Sequence, residues 1–275
     1  FVDRDAEFAG DAWLGNQYIG IAFRRGAPSA EFHVRMAGDA WKRLAELTPV
    51  GIGGKRAHAI RSFKVVENYP DEIAFDVGFE GGDGKTMTVR HRLERDRRYM
   101  ETEAREGTGR VIAASASKFA VVPDSFGGDI VVNAEKTREA RLRVPSERML
   151  LQLGENGDAM LMFAWLSADQ RVAMELGGEG GSRAIRATEI EYRRDKRASV
   201  WIAALAAPAI WYQKPIRTLA RLSRGGLEGR LPASSGWPGR FLGADISPER
   251  RQLGTLPRKW LADDVDELPR EGDRK

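Results

Sequence analysis

Apolar and polar residues alternate with a period of two along much of the chain, and the clearest run lies between Ala59 and Glu103. Ile73, Phe75, Val77 and Phe79 alternate with Ala74, Asp76, Gly78 and Glu80; Met87, Val89, His91 and Leu93 alternate with Thr88, Arg90, Arg92 and Glu94. Successive side chains of a strand point to opposite faces, so this pattern gives each strand one buried and one wet face. It predicts strands over Ala59–Glu67, Glu72–Glu80, Lys85–Glu94 and Arg98–Arg105, an antiparallel meander rather than a nucleotide-binding α/β fold.

The same period extends in both directions. Gln17–Phe23 and Glu31–Met36 read as strands joined by a turn at Gly26–Ser29. Gly38-Asp39 then reads as the opening of a short helix over Ala40–Leu47, with Trp41, Leu44 and Ala45 on one face, followed by a glycine-rich loop from Pro49 to Gly54. Val111–Val122 is a strand whose small residues, Ala113 to Ser117, predict close packing on both faces. Further strands are expected at Ile130–Val132, Met149–Leu153, Asp158–Leu166, Gln170–Leu176, Ala184–Tyr192 and Ala198–Leu205, with Asn156-Gly157 as a strong hairpin signal. About a dozen strands at short intervals predict an all-β fold: a large antiparallel β-sandwich of two sheets with minor short helices. The expected division is residues 1–212 as the sandwich and 213–275 as an irregular, partly helical C-terminal extension. In that extension Pro215 stands where a helix would start, and Ile216, Leu219 and Leu222 share a face.

Composition narrows the function classes. The chain has 275 residues and no cysteine, so disulfide and thiolate chemistry are excluded. Its 44 basic and 40 acidic residues are interspersed, which is ordinary solvation rather than a nucleic-acid footprint. No apolar run reaches the length of a membrane-spanning helix, the longest being Val200–Tyr212 with Pro208 inside it. The chain begins at Phe1, with neither an initiator Met nor a signal peptide, which points either to a removed leader or, as the open-ended C-terminus favours, to an excised piece of a longer protein.

Each chemical motif in the chain also has a plainer reading. Gly81-Gly82-Asp83-Gly84-Lys85-Thr86 ends like a phosphate loop, but Phe79 stands where the motif needs glycine and a strand follows instead of a helix. A hairpin turn explains it. Gly177–Gly181 also precedes a strand, which removes the dinucleotide fingerprint. The three histidines, His33, His58 and His91, have no metal-ligand spacing, and neither metal nor cofactor is expected. The loop Pro123–Asp129, with Asp124 and Asp129, lacks the acidic density of a calcium loop. No Gly-x-Ser-x-Gly elbow occurs.

His91 is the polar group on the apolar side of its strand. It is either a core histidine or a polar group on the floor of a sheet beside a ligand. Arg90 and Arg92 belong to a dense basic run. They make either cross-strand ion pairs, with Asp76 and Glu80 as partners, or a patch for an anionic polysaccharide, which a guanidinium fork suits. Trp211 and Tyr212, at the end of a strand before Lys214-Pro215, form either a closing contact or a sugar-stacking platform.

The meander over Phe63–Glu103, with a strand-rich second half of comparable length, resembles the supersandwich module of galactose mutarotase-like proteins over roughly residues 13–212. Such modules occur in sugar epimerases, polysaccharide lyases and glycosidase accessory domains. The resemblance implies a carbohydrate-associated module binding a poly- or oligosaccharide on a concave sheet face, with His91, Arg90, Arg92, Trp211 and Tyr212 as ligand-binding candidates. It also implies an extracytoplasmic location. The family's epimerases use a His and a Glu; His91 is the positional candidate for the first, and no residue stands out for the second. Leu256–Trp260 resembles a linker into a further segment. The alternatives are an interaction domain without a small-molecule site, and a lyase or epimerase.

Overall fold

A computed structural model of the chain describes residues 10–123, 130–145, 148–154, 156–167, 169–193 and 198–206, and the backbone of 227–230 and 238–241. The chain divides into two compact units, one of residues 1–120 and 133–209, the other of residues 121–132 and 210–275. In the second unit the described parts are the end of one strand, most of a short strand and an isolated hairpin, Leu227–Arg230 with Pro238–Phe241. Trp211, Tyr212, the helix expected after Pro215, the loop aspartates Asp124 and Asp129, and the Leu256–Trp260 linker lie outside the described residues.

The first unit is built from long antiparallel strands. They are β1 (Ala12–Gly15), β2 (Ile19–Phe23), β3 (Ala30–Arg35), β4 (Trp41–Gly51), β5 (Ala57–Asn68), β6 (Glu72–Gly81), β7 (Thr86–Glu94), β8 (Tyr99–Ala104) and β9 (Thr108–Val122). After the short β10 (Ile130–Asn133) come β11 (Arg141–Arg143), β12 (Met149–Gly154), β13 (Met160–Trp165), β14 (Val172–Gly177), β15 (Ala184–Glu191) and β16 (Ser199–Leu205). Pairing generates two layers. One runs β1-β2-β3-β4-β9-β15-β14-β11 and the other β5-β6-β7-β8-β16-β13-β12, with β9 also pairing β12. The meander is the ladder β5-β6-β7-β8, in which Phe75 faces His91 and Phe79 faces Met87 across β6 and β7.

The inward sides of the layers form the core. Phe23 of β2 packs its ring 5.6 Å from Phe63 of β5 and 5.4 Å from Phe75 of β6, which fixes the face-to-face arrangement. Phe23 and Phe75 are fully buried, as are Phe32, Phe79, Phe163, Met100, Leu150 and Ile202. Several polar groups enclosed there are paired: Ser115 donates to Gln152, which donates 2.6 Å to Thr188, linking β9, β12 and β15. The Tyr192 hydroxyl lies 3.0 Å from that of Thr102. Burial and this pairing are how such groups are accommodated at low energetic cost.

Three local expectations are corrected. The region read as a helix over Ala40–Leu47 is β4. Gly38 and Asp39 have φ of 80° and 66°, a left-handed pair that turns β3 into β4, and Met36 N donates to Ala40 O at 2.8 Å. Ala45, Leu47 and Pro49 then point inward, and β4 is paired on both edges, to β3 and β9; ladder pairing outweighs the helical spacing of Trp41, Leu44 and Ala45. The loop expected from Pro49 begins only after Gly51. β9 is not packed on both faces throughout: Ala114 and Ala116 are exposed. The only helical turn among the described residues is a three-residue 3-10 segment, Gly180–Ser182. The Gly81–Thr86 segment is a hairpin turn, with Gly84 at φ 74° and Gly81 N bonded to Lys85 O.

Candidate functional site

His91 lies between the layers. Its ring is 5.5 Å from Phe75 and 5.4 Å from Phe23, it is 3% exposed, and neither ring nitrogen has a hydrogen-bond partner. Burial depresses its pKa to about 3, against the weaker opposing pull of Asp76. The ring is neutral at physiological pH and has the surroundings of a core residue.

Arg90 and Arg92 occupy the outward face of the meander, with their forks engaged. Arg90 holds Asp76 through two bonds of 2.7 and 2.9 Å. Arg92 is enclosed by Glu72, Glu67 and Glu101, and Glu101 also accepts from Ser199 Oγ at 2.6 Å. Glu80, the other acid considered from the sequence, pairs with Arg61 of β5 and not with Arg90 or Arg92.

The first layer presents a different outward face. Cross-strand partners place Glu31 beside Glu46 and then Ala114 and Ala187, and His33 beside Arg43. At one end of this face Trp13 and Trp41 are 47% and 38% exposed. Trp13 meets Trp41 edge-on at 5.1 Å and His33 edge-on at 5.1 Å. Its ring reaches them by lying on Gly20 of β2, where any Cβ would collide with the indole. His33 Nε2 is 3.2 Å from Glu31, while its Nδ1 is buried without a hydrogen-bond partner. Burial lowers the His33 pKa, Glu31 opposes that, and Arg43 and Arg24 reinforce it. The Arg24 hydrogen bond in turn keeps the Glu31 carboxyl below its ordinary range. The result is an aromatic shelf beside a neutral imidazole and an ionised carboxylate.

At the other end of the face lies a cavity of about 360 Å³, lined among others by Arg110, Arg141, Arg143, Arg171, Gln170 and Glu189. Arg110 and Arg141 both bind Glu189, and Arg141 also reaches Glu175 at 3.0 Å. Burial raises the Glu189 pKa, but these two arginines outweigh it and hold the carboxyl below its usual value. Between shelf and cavity the exposed alanines Ala114 and Ala116 leave the sheet surface low. From β3 to β15 is three strand spacings, about 14 Å across the sheet.

No protein-family model matches the chain, and no curated protein matches it. Among solved structures it is similar to an α-N-acetylgalactosaminidase, NagBb from Bifidobacterium bifidum in complex with Gal-NHAc-DNJ, at 10% identity and a TM-score of 0.49, over 77% of this chain and 38% of that one. It is also similar to a heparan sulfate lyase HepC mutant from Pedobacter heparinus, at 9% identity and a TM-score of 0.39, over 88% and 40%. The chain thus spans about two-fifths of the length of each.

The residues of this face were all visible in the sequence, but no linear spacing groups Trp13, His33 and Trp41, or Arg110 with Arg141 and Arg143. The available signals were outward glycine at Gly20 between inward Ile19 and Ile21, and alanines on the outward side of β9.

Proposed function

We propose that the chain is a carbohydrate-associated module that binds an oligosaccharide across the outward face of its first layer. The observation that carries this is the exposed Trp13–Trp41 pair, held on Gly20 beside His33 and Glu31. A sugar ring offers an apolar face to an indole and hydroxyls to a nearby carboxylate and imidazole, which this shelf supplies together. A location outside the cytoplasm and a role within a longer polypeptide belong to the same reading.

Calorimetric titration against neutral and acidic oligosaccharides tests it. Trp41→Ala, at an exposed position with little core role, is expected to weaken binding by about 2 kcal/mol, some thirtyfold. Gly20→Ala is expected to do likewise by displacing the Trp13 ring. Absence of glycan binding, or full affinity in Trp41→Ala, would leave the interaction-domain alternative in its place.

A second reading, an epimerase or lyase, is favoured by one contact: His33 in hydrogen-bond reach of Glu31 on an accessible face. An imidazole held neutral by its surroundings is suited to proton transfer with a sugar. Absence of turnover of mutarotase or lyase substrates would remove this reading, and turnover that survives His33→Ala would remove His33 from it.

A further inference from the structure

The cavity beside β11 has more hydrogen-bond donors than its own acceptors use. Four arginines line it against Asp169, Glu189 and Glu191. Glu189 is already shared by Arg110 and Arg141, and Asp169 is bound by Arg193. Arg171 is 3.9 Å from Glu191, a loose contact. The Arg143 side chain makes no ion pair or hydrogen bond with the described residues. Gln170 is 8% exposed, and its amide nitrogen is buried without a partner. A buried N–H left unmade is expensive, and an arginine fork matches the paired oxygens of a carboxylate or sulfate. What is missing from the cavity is an acceptor carrying negative charge.

We propose that this cavity receives the oxyanion, carboxylate or sulfate, of an acidic glycan whose neighbouring sugars lie toward the tryptophan shelf. Arg143 and Gln170 supply the direct bonds, and Arg110 and Arg141, fixed by Glu189, supply the field. The inference rests on the glycan reading above and gives it a substrate class. Two features of the face support the link: shelf and cavity share one sheet surface, and the alanine floor between them leaves room for a chain of sugars.

The test is calorimetric titration of the whole chain with three probes: a neutral cello-oligosaccharide, an oligogalacturonate and a heparin-derived oligosaccharide. Acidic probes are expected to bind at least about tenfold more tightly than the neutral one, and Arg143→Gln, an exposed change that removes the guanidinium, to erase that margin. Gln170→Leu is expected to act in the same direction. Comparing the two acidic probes separates a carboxylate from a sulfate preference. Equal affinity for neutral and acidic probes, or an undiminished margin in Arg143→Gln, would overturn the inference while the glycan reading stood. Failure of all three probes to bind would bring down both.

Discussion

Replacing His91 with methionine is expected to stabilise the protein and to flatten its acid limb. The native ring sits between Phe75 and Phe23 with both nitrogens unbonded. An unsatisfied buried polar group costs about 1–3 kcal/mol, and methionine offers similar volume and a favourable sulfur–aromatic contact, so a gain of that order is expected at pH 7. The pH dependence has a definite sign. Burial depresses the folded pKa from 6.5 to about 3. Above 6.5 the ring is neutral in both states and contributes no slope. Below it the unfolded chain takes up a proton that the folded chain refuses, so stability falls by about 1.4 kcal/mol per pH unit until the folded ring titrates. Between pH 6.5 and 5, before the carboxylates titrate, wild type should lose about 2 kcal/mol through His91 that the variant retains. Urea unfolding of both proteins at pH 7 and pH 5 measures the difference directly. His33, whose pKa burial also lowers, is present in both and cancels. An equal gap at the two pH values would show that His91 is not held neutral by the core.

The strand pattern made the meander legible because both its faces are dictated locally: alternation alone sorts Phe75, Val77 and Phe79 inward and Asp76 outward. It also singled out His91 as a polar group on the apolar side. It could not say what covers that side, since the ring against it, Phe23, comes from the other layer. β4 shows the converse. Its first half carries apolar residues at helical spacing, and only its neighbours β3 and β9, which pair both edges, decide for a strand. The shelf and the cavity were illegible for the same reason on a larger scale. Trp13, His33 and Trp41 come from three strands, and the cavity arginines from β9, β11 and the segment before β14, so their grouping exists only in the register of the sheet.

Arg92→Met tests what the meander's outward charges do. Arg92 is raised above its ordinary pKa: burial works against its charge, and Glu72, Glu67 and Glu101 outweigh it. Their side chains are 26%, 28% and 9% exposed. Removing the cation leaves three part-buried carboxylates facing one another. Breaking a buried pair from one side costs about 3–5 kcal/mol, and partial solvent access here reduces that to about 2–3 kcal/mol at pH 7. With Arg92 gone, the three carboxylates repel one another with no cation between them. High salt should shrink the penalty. Denaturant curves at low and high salt would resolve this, and a penalty indifferent to salt would mean that the methionine disturbs packing rather than charge. The same variant bears on function. If Arg92 serves the sheet, the folded variant keeps its glycan affinity while Trp41→Ala loses it; a thirtyfold loss in Arg92→Met would instead move the binding surface to the meander.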